Sequence, residues 1–263
     1  RSLKSTWEIT QLAEVEGAFV AMDPRDGSVR ALVGGFDFQK NKFNHVTQAW
    51  RQPGSSFKPF IYSAALEKGF TPATVINDAP LFFDAGVTGG QPWEPKNYDG
   101  GFEGPMSLRT ALKKSKNLVS IRILQSIGTK YGQEWTTHFG FDAVKHPAYL
   151  TMALGAGSVT PMQMATGYSV FANGGYRVNP YLITKITDQR GKVLLESTPP
   201  ALNESMRGIP ARNAFIMDSL LQEVARSGTA AKAQAMLKRP DIFGKTGTTN
   251  DSIDTWFVGF QPT

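Results

Sequence analysis

The chain contains no cysteine, which removes thiol catalysis, disulfide bonds and thiolate metal sites together. That absence is compatible with an oxidising compartment. Histidine is scarce: His45, His138 and His146 are the three in the chain, and none stands four residues from another, the spacing of a helical metal pair. Neither a metal nor a cofactor is expected. Also missing is any apolar run near the roughly 18 residues that a membrane span needs, and Arg1-Ser2-Leu3-Lys4 does not open like a secretory signal. If the parent protein is anchored in a membrane, its anchor lies outside this stretch of sequence. No block of one charge occurs either. The 28 basic and 22 acidic residues, net +6, are spread along the chain and read as solvated surface, not as a nucleic-acid stripe, with room for a mild preference for anionic lipid or cell wall.

What is present fits a folded α+β domain. At 263 residues, 41% hydrophobic and 19% charged, the chain can bury a substantial core. Residues 1–16 read as a linker from an upstream region. Residues 17–35 read as a hairpin about Asp23-Pro24-Arg25-Asp26-Gly27, where Pro sets φ and Gly accepts a positive one. A helix is expected from Phe57 to Leu66 with its stop at Gly69, followed by mostly loop over 70–105. Short helices should follow at Ser107–Lys114 and Leu118–Ile127. Thr160-Pro161 caps a helix through Asn173, Tyr181–Thr187 and Lys192–Leu195 flank a turn, and Pro210–Ser227 is a long helix. Ile242–Thr249 and Ile253–Phe260 read as adjacent strands. Strands at both ends with helices between imply a sheet built from distant segments.

Three strings carry the chemistry: Ser55-Ser56-Phe57-Lys58, Ser115-Lys116-Asn117 and Lys245-Thr246-Gly247-Thr248. In this order they make the S-x-x-K, S-x-N, K-T-G set of enzymes that open an amide through an acyl-serine. Each alone is weak; their order and context are specific. Ser55 and Lys58 stand one turn apart at a helix start. A serine hydroxyl needs a base, and no histidine is suitably spaced. Lys58 can serve if it is neutral. Moving a lysine from its usual pKa of ~10.4 to near 7 takes roughly 4–5 kcal/mol, of which a helix N-terminus supplies about 0.3–1. Burial and a second cation must supply the rest, and Lys245 is the candidate. Ser115 can pass a proton between Lys58 and an amine, and Asn117 can bond both Lys58 and a substrate peptide. Lys245, Thr246 and Thr248 suit a terminal carboxylate, while Gly247 permits close backbone approach. The N–H groups of Ser55 and Thr248 can form an oxyanion hole.

With these strings, the chain resembles the transpeptidase domain of class A high-molecular-weight penicillin-binding proteins. The likeness covers most of residues 17–260, through Arg51-Gln52-Pro53-Gly54-Ser55, Asn97-Tyr98-Asp99, Arg109-Thr110-Ala111-Leu112, Thr160-Pro161-Met162-Gln163-Met164, Phe171-Ala172-Asn173-Gly174-Gly175 and Gly244–Asp251. The resemblance implies the fold shared with serine β-lactamases: an antiparallel sheet from N- and C-terminal segments packed with helices, plus an all-helical subdomain. It implies a D,D-transpeptidase over 17–263, incomplete at its C-terminus. Its partners would be peptidoglycan stem peptides, β-lactam antibiotics, the cell membrane through an N-terminal anchor, and a regulatory lipoprotein. The location implied is the extracytoplasmic face of the bacterial inner membrane, and the full-length protein would also carry a glycosyltransferase.

Competing readings share the strings. A class A β-lactamase needs a Glu with Asn four residues later, and Glu134, Glu196, Glu204 and Glu223 lack one. A D,D-carboxypeptidase would use the same acyl-enzyme with water as acceptor. A β-lactam sensor that acylates without turnover would keep all three strings too.

Overall fold

The computed structural model describes residues 14–88, 90–199 and 201–261; the expected linker at 1–16 lies almost wholly outside them. The chain opens with the hairpin β1 (Phe19–Met22) and β2 (Val29–Val33). A 3₁₀ turn at Gly54–Phe57 leads into α1 (Lys58–Glu67), whose residues 58–65 are all buried. A helix that is apolar all round belongs in the centre of a domain, and α1 is that centre. Then come β3 (Val75–Asp78), the single turn α2 (Ala85–Thr88) and β4 (Gly104–Ser107). The helices α3 (Leu108–Lys114), α4 (Asn117–Ile127) and α5 (Thr129–Thr137) follow.

α6 (Pro161–Ala172) starts with a full capping box: Thr160 Oγ1 accepts from the N–H of Gln163, whose side chain accepts from the N–H of Thr160. After the small hairpin β5 (Lys185–Thr187) and β6 (Val193–Glu196) comes α7 (Ala211–Ser227). Its Met217, Leu220, Leu221 and Val224 recur at helical spacing and face the core. The short α8 (Ala231–Leu237) leads to β7 (Phe243–Thr248) and β8 (Thr255–Phe260), antiparallel and in register from Phe243↔Phe260 to Thr248↔Thr255. Around α1 the core is aromatic. Phe60 packs edge-on against Phe57, Phe139, Phe141 and Tyr168 at 4.7–5.4 Å and stacks on Phe171 at 5.7 Å.

Three departures from the sequence reading have physical reasons. Residues 70–105 are mostly loop, in keeping with the sequence, but β3 and β4, not foreseen there, pair from Val75↔Ser107 to Asp78↔Gly104. Gly104 and Pro105 disguise β4, and its partner is distant in sequence. α5 and α8 were not foreseen either: α5 is short and mostly polar and buries only Gly132, Trp135 and Thr136, and α8 buries no residue. The strands also form four separate two-stranded ladders rather than one sheet. Among the described residues β1 and β8 do not pair; an open groove of about 1480 Å³ lies between them, with Phe19, Tyr168 and Phe260 in its walls.

Candidate active site

The turn bearing Ser55 is held by backbone on both sides. Gly54 has φ +54, and a Cβ there would lie 2.6 Å from the carbonyl oxygen of Thr248. A Cβ at Gly247 would lie 2.3 Å from Pro53 O, and one at Gly155 would lie 2.1 Å from Gly54 O. The segment is therefore pressed between β7 and the loop at 155, with no room for a side chain at 54, 155 or 247. Tyr168 Oη donates to Ser56 O at 2.6 Å, Ser56 Oγ to Pro53 O at 2.7 Å, and Trp256 Nε1 to Gln52 O at 3.0 Å. Ser55 itself stays half-buried in this otherwise buried turn. The 3₁₀ geometry sets positions three apart in line, which places Lys58 behind Ser55 at the first residue of α1.

Ser115 ends α3 in the left-handed region, φ 59 and ψ 37. The N–H of Lys116 bonds Ala111 O and that of Ser115 bonds Leu112 O, both at 3.0 Å, the pairing of a Schellman close. α4 then begins at once with Asn117, so the S-x-N string is a helix–helix joint. Lys58 Nζ, fully buried, donates to Ser115 O at 2.6 Å and Asn117 Oδ1 at 2.7 Å, and lies 3.3 Å from Ser115 Oγ. Asn117 Nδ2 donates to Lys96 O at 2.8 Å, which fixes the amide with its oxygen toward Lys58. Lys245, equally buried, donates to Ser115 Oγ at 2.8 Å and Thr246 O at 3.0 Å. Ser115 Oγ thus bridges the two amines.

Among the described residues neither Lys58 nor Lys245 has a carboxylate partner. Burial, and after it the charge of Lys245, holds the Lys58 amine well below the ordinary lysine range. Burial lowers Lys245 to about 7. Lys58 meets two groups that can only accept, Ser115 O and Asn117 Oδ1. A neutral amine has two N–H bonds and one lone pair, so it satisfies both and keeps the lone pair free for a hydroxyl proton. On β7, Thr248 is exposed and Thr246 half-buried. The Thr246 hydroxyl lies 2.7 Å from that of Thr229.

A second layer was not legible as a site. Asn97 Oδ1 accepts from the N–H groups of Asn117 at 2.9 Å and Leu118 at 3.3 Å, capping α4 from twenty residues upstream. Its Nδ2 donates to Asp78 Oδ1 at 2.7 Å. Lys116, the middle residue of the second string, is 2% exposed and pairs with Asp99 and Glu103 at 2.9 Å and Asp78 at 3.4 Å. Burial pushes this amine down, but hydrogen bonds to Asp99 and Glu103 outweigh it and raise its pKa. The Asn-Tyr-Asp run at 97–99 is the only sequence signal for this layer, and its long range hid its purpose.

Residues 17–263 match the family model described as the penicillin binding protein transpeptidase domain, and the chain belongs to that family. Its curated relatives at about half identity place it with the class A members. Penicillin-binding protein 1A of Neisseria flavescens is 53% identical over 258 residues, covering 98% of this chain and 32% of the relative. The chain thus spans about a third of the length of such relatives. The 2.6 Å crystal structure of penicillin-binding protein 1A from Haemophilus influenzae superposes with a TM-score of 0.90 at 37% identity, over 97% of this chain and 42% of that one. PonA1 from Mycobacterium tuberculosis, in complex with penicillin V, superposes at 0.73 with 26% identity, over 95% and 68%. An acyl-transfer or peptidase-type enzyme is the activity such a domain carries.

Proposed function

We propose that the chain is the D,D-transpeptidase part of a longer protein that cross-links peptidoglycan stem peptides through an acyl-enzyme on Ser55. The carrying observation is the buried Lys58 amine, which donates to two carbonyl acceptors and has no carboxylate partner among the described residues. Such an amine is poised to take a proton. Ser55 Oγ attacks the carbonyl carbon between the two terminal D-alanines, and its proton goes to Lys58. The tetrahedral oxyanion is received by the N–H groups of Ser55 and Thr248, whose segments touch at Gly54. As the C–N bond breaks, the proton passes through Ser115 Oγ to the leaving amine, and D-alanine departs. An amine of a second stem then attacks the ester, returning a proton to Ser55 Oγ. Lys245, Thr246 and Thr248 hold the terminal carboxylate, and Gly247 lets the peptide backbone lie against β7.

A β-lactam presents a strained amide beside a carboxylate and acylates Ser55 by the same path; the penicillin V complex of PonA1 supports that reading. No helix among the described residues is long and apolar enough to cross a membrane. The share of the relatives' length left uncovered accommodates an anchor and a glycosyltransferase, with the domain on the extracytoplasmic side. There a regulatory lipoprotein could reach it. Ser55→Ala in the full-length protein is expected to abolish covalent labelling by a fluorescent penicillin while the melting temperature holds. Undiminished labelling of a folded Ser55→Ala protein would overturn the nucleophile.

A further inference from the structure

Thr229 comes to the cleft from outside all three strings. It follows Gly228 at the end of α7, where a Cβ would lie 2.5 Å from Lys113 O, so the chain can pass there only as glycine. The N–H of Thr229 then donates to Lys113 O at 3.2 Å, and Ala230, 3% exposed, anchors the next position in the core. Held from both sides, the exposed Thr229 sets its Oγ1 2.7 Å from Thr246 Oγ1.

A hydroxyl has one proton and two lone pairs. In a close hydroxyl pair one partner spends its proton on the other. If Thr246 donates to Thr229, it has no proton left for a ligand. If Thr229 donates, the Thr246 proton is free to point outward, and the bond it accepts strengthens the one it gives. A carboxylate in front of Thr246 selects the second arrangement, because a bond to an ionised acceptor is roughly twice as strong as a neutral one. We propose that Thr229 is a specificity-determining positioning residue: its hydroxyl donates to Thr246 and so commits the Thr246 proton to the ligand's carboxylate. The inference rests on the reading of Thr246 as a carboxylate-binding residue.

The test compares the full-length protein with its Thr229→Val, Thr229→Ser and Thr246→Val variants, using benzylpenicillin and its uncharged methyl ester as acylating probes. Valine keeps the β-branched shape and removes the hydroxyl. Thr229→Val should slow acylation by the free acid about three- to tenfold, the worth of one ordinary hydrogen bond, and leave the ester rate and the melting temperature unchanged. Thr229→Ser should restore the parent rate. The proposal is overturned if Thr229→Val reacts with the acid at the parent rate while Thr246→Val is slowed, or if it loses acid and ester reactivity alike. Should Thr246→Val also match the parent, the carboxylate reading of Thr246 fails first and the proposal goes with it.

Discussion

Ser115 holds a left-handed backbone, φ 59, which costs a non-glycine residue about 1–2 kcal/mol. Glycine would relieve that strain but would delete the hydroxyl that touches both Lys58 and Lys245. The strain falls at the joint that the proposed chemistry uses. His146 poses a different problem. It is 1% exposed, stacks on Phe57 at 4.6 Å, and neither ring nitrogen has a hydrogen-bond partner among the described residues. Burial, partly opposed by Asp142, lowers its pKa from 6.5 to about 4. The unfolded chain therefore takes up this proton near pH 6.5, while the folded chain resists it until about pH 4. Folding stability should fall across that window as pH drops, by about 3 kcal/mol for this group. Urea titrations from pH 7 to pH 4 should show that His146→Phe flattens the decline; parallel curves for the two proteins would contradict the account.

Among the elements, α4 shows how a site is supported from a distance. Its N-terminus has no cap from Lys116; Asn97 supplies it, and Asp78, one of the three carboxylates around Lys116, also accepts from Asn97. Losing an N-cap typically costs about 1 kcal/mol. Because Asn117 is the first residue of this helix, a loosened start also moves its Oδ1 from Lys58. Asn97→Ala should therefore lower stability by about 1 kcal/mol and slow penicillin acylation by about ten- to a hundredfold. Stopped-flow acylation well below the melting temperature separates the two effects. A rate that stays at the parent value would mean that Asn117 is held without Asn97. The helix itself was readable from Leu118 onward in its apolar letters. Its cap was not, since nothing at position 97 points to position 117 until β3 and β4 pair and bring the loop over. The span 70–105 is mostly loop as read, but the short ladder that brackets it was hidden for the same cause: bonds between Val75–Asp78 and Gly104–Ser107 are set by where the chain returns, not by local preference.

Across the whole molecule, the site is an intersection of backbones. The loop at Gly155, the turn at Gly54 and strand β7 are stacked backbone against backbone at Gly54, Gly155 and Gly247, and Arg51 ties the same segment to Asp254 at 2.7 Å. Gly155 has φ +72, so both space and conformation demand glycine. Gly155→Ala is expected to destabilise the domain by roughly 1–3 kcal/mol and to slow acylation by shifting the Ser55 turn. Thermal melts and penicillin labelling would read the two losses together. An alanine variant with parent stability and labelling would show that the three layers are not in register as described.

The strings at 55, 115 and 245 stand out in the letters because each needs only a few neighbouring residues: a helix start, a helix joint, a strand with a glycine. By itself, then, the sequence determined the order of the reactive groups, the local backbone under most of them and the family likeness. What the letters left open is how far each amine lies from water and which acceptors surround it. Only tertiary structure decided that Lys58 would be buried among Ser115, Asn117 and Lys245, that Lys116 would be pinned by three carboxylates, and that Thr229 would reach Thr246. A side chain's proton affinity sums contributions from every segment packed around it, and those segments meet only once the chain is folded.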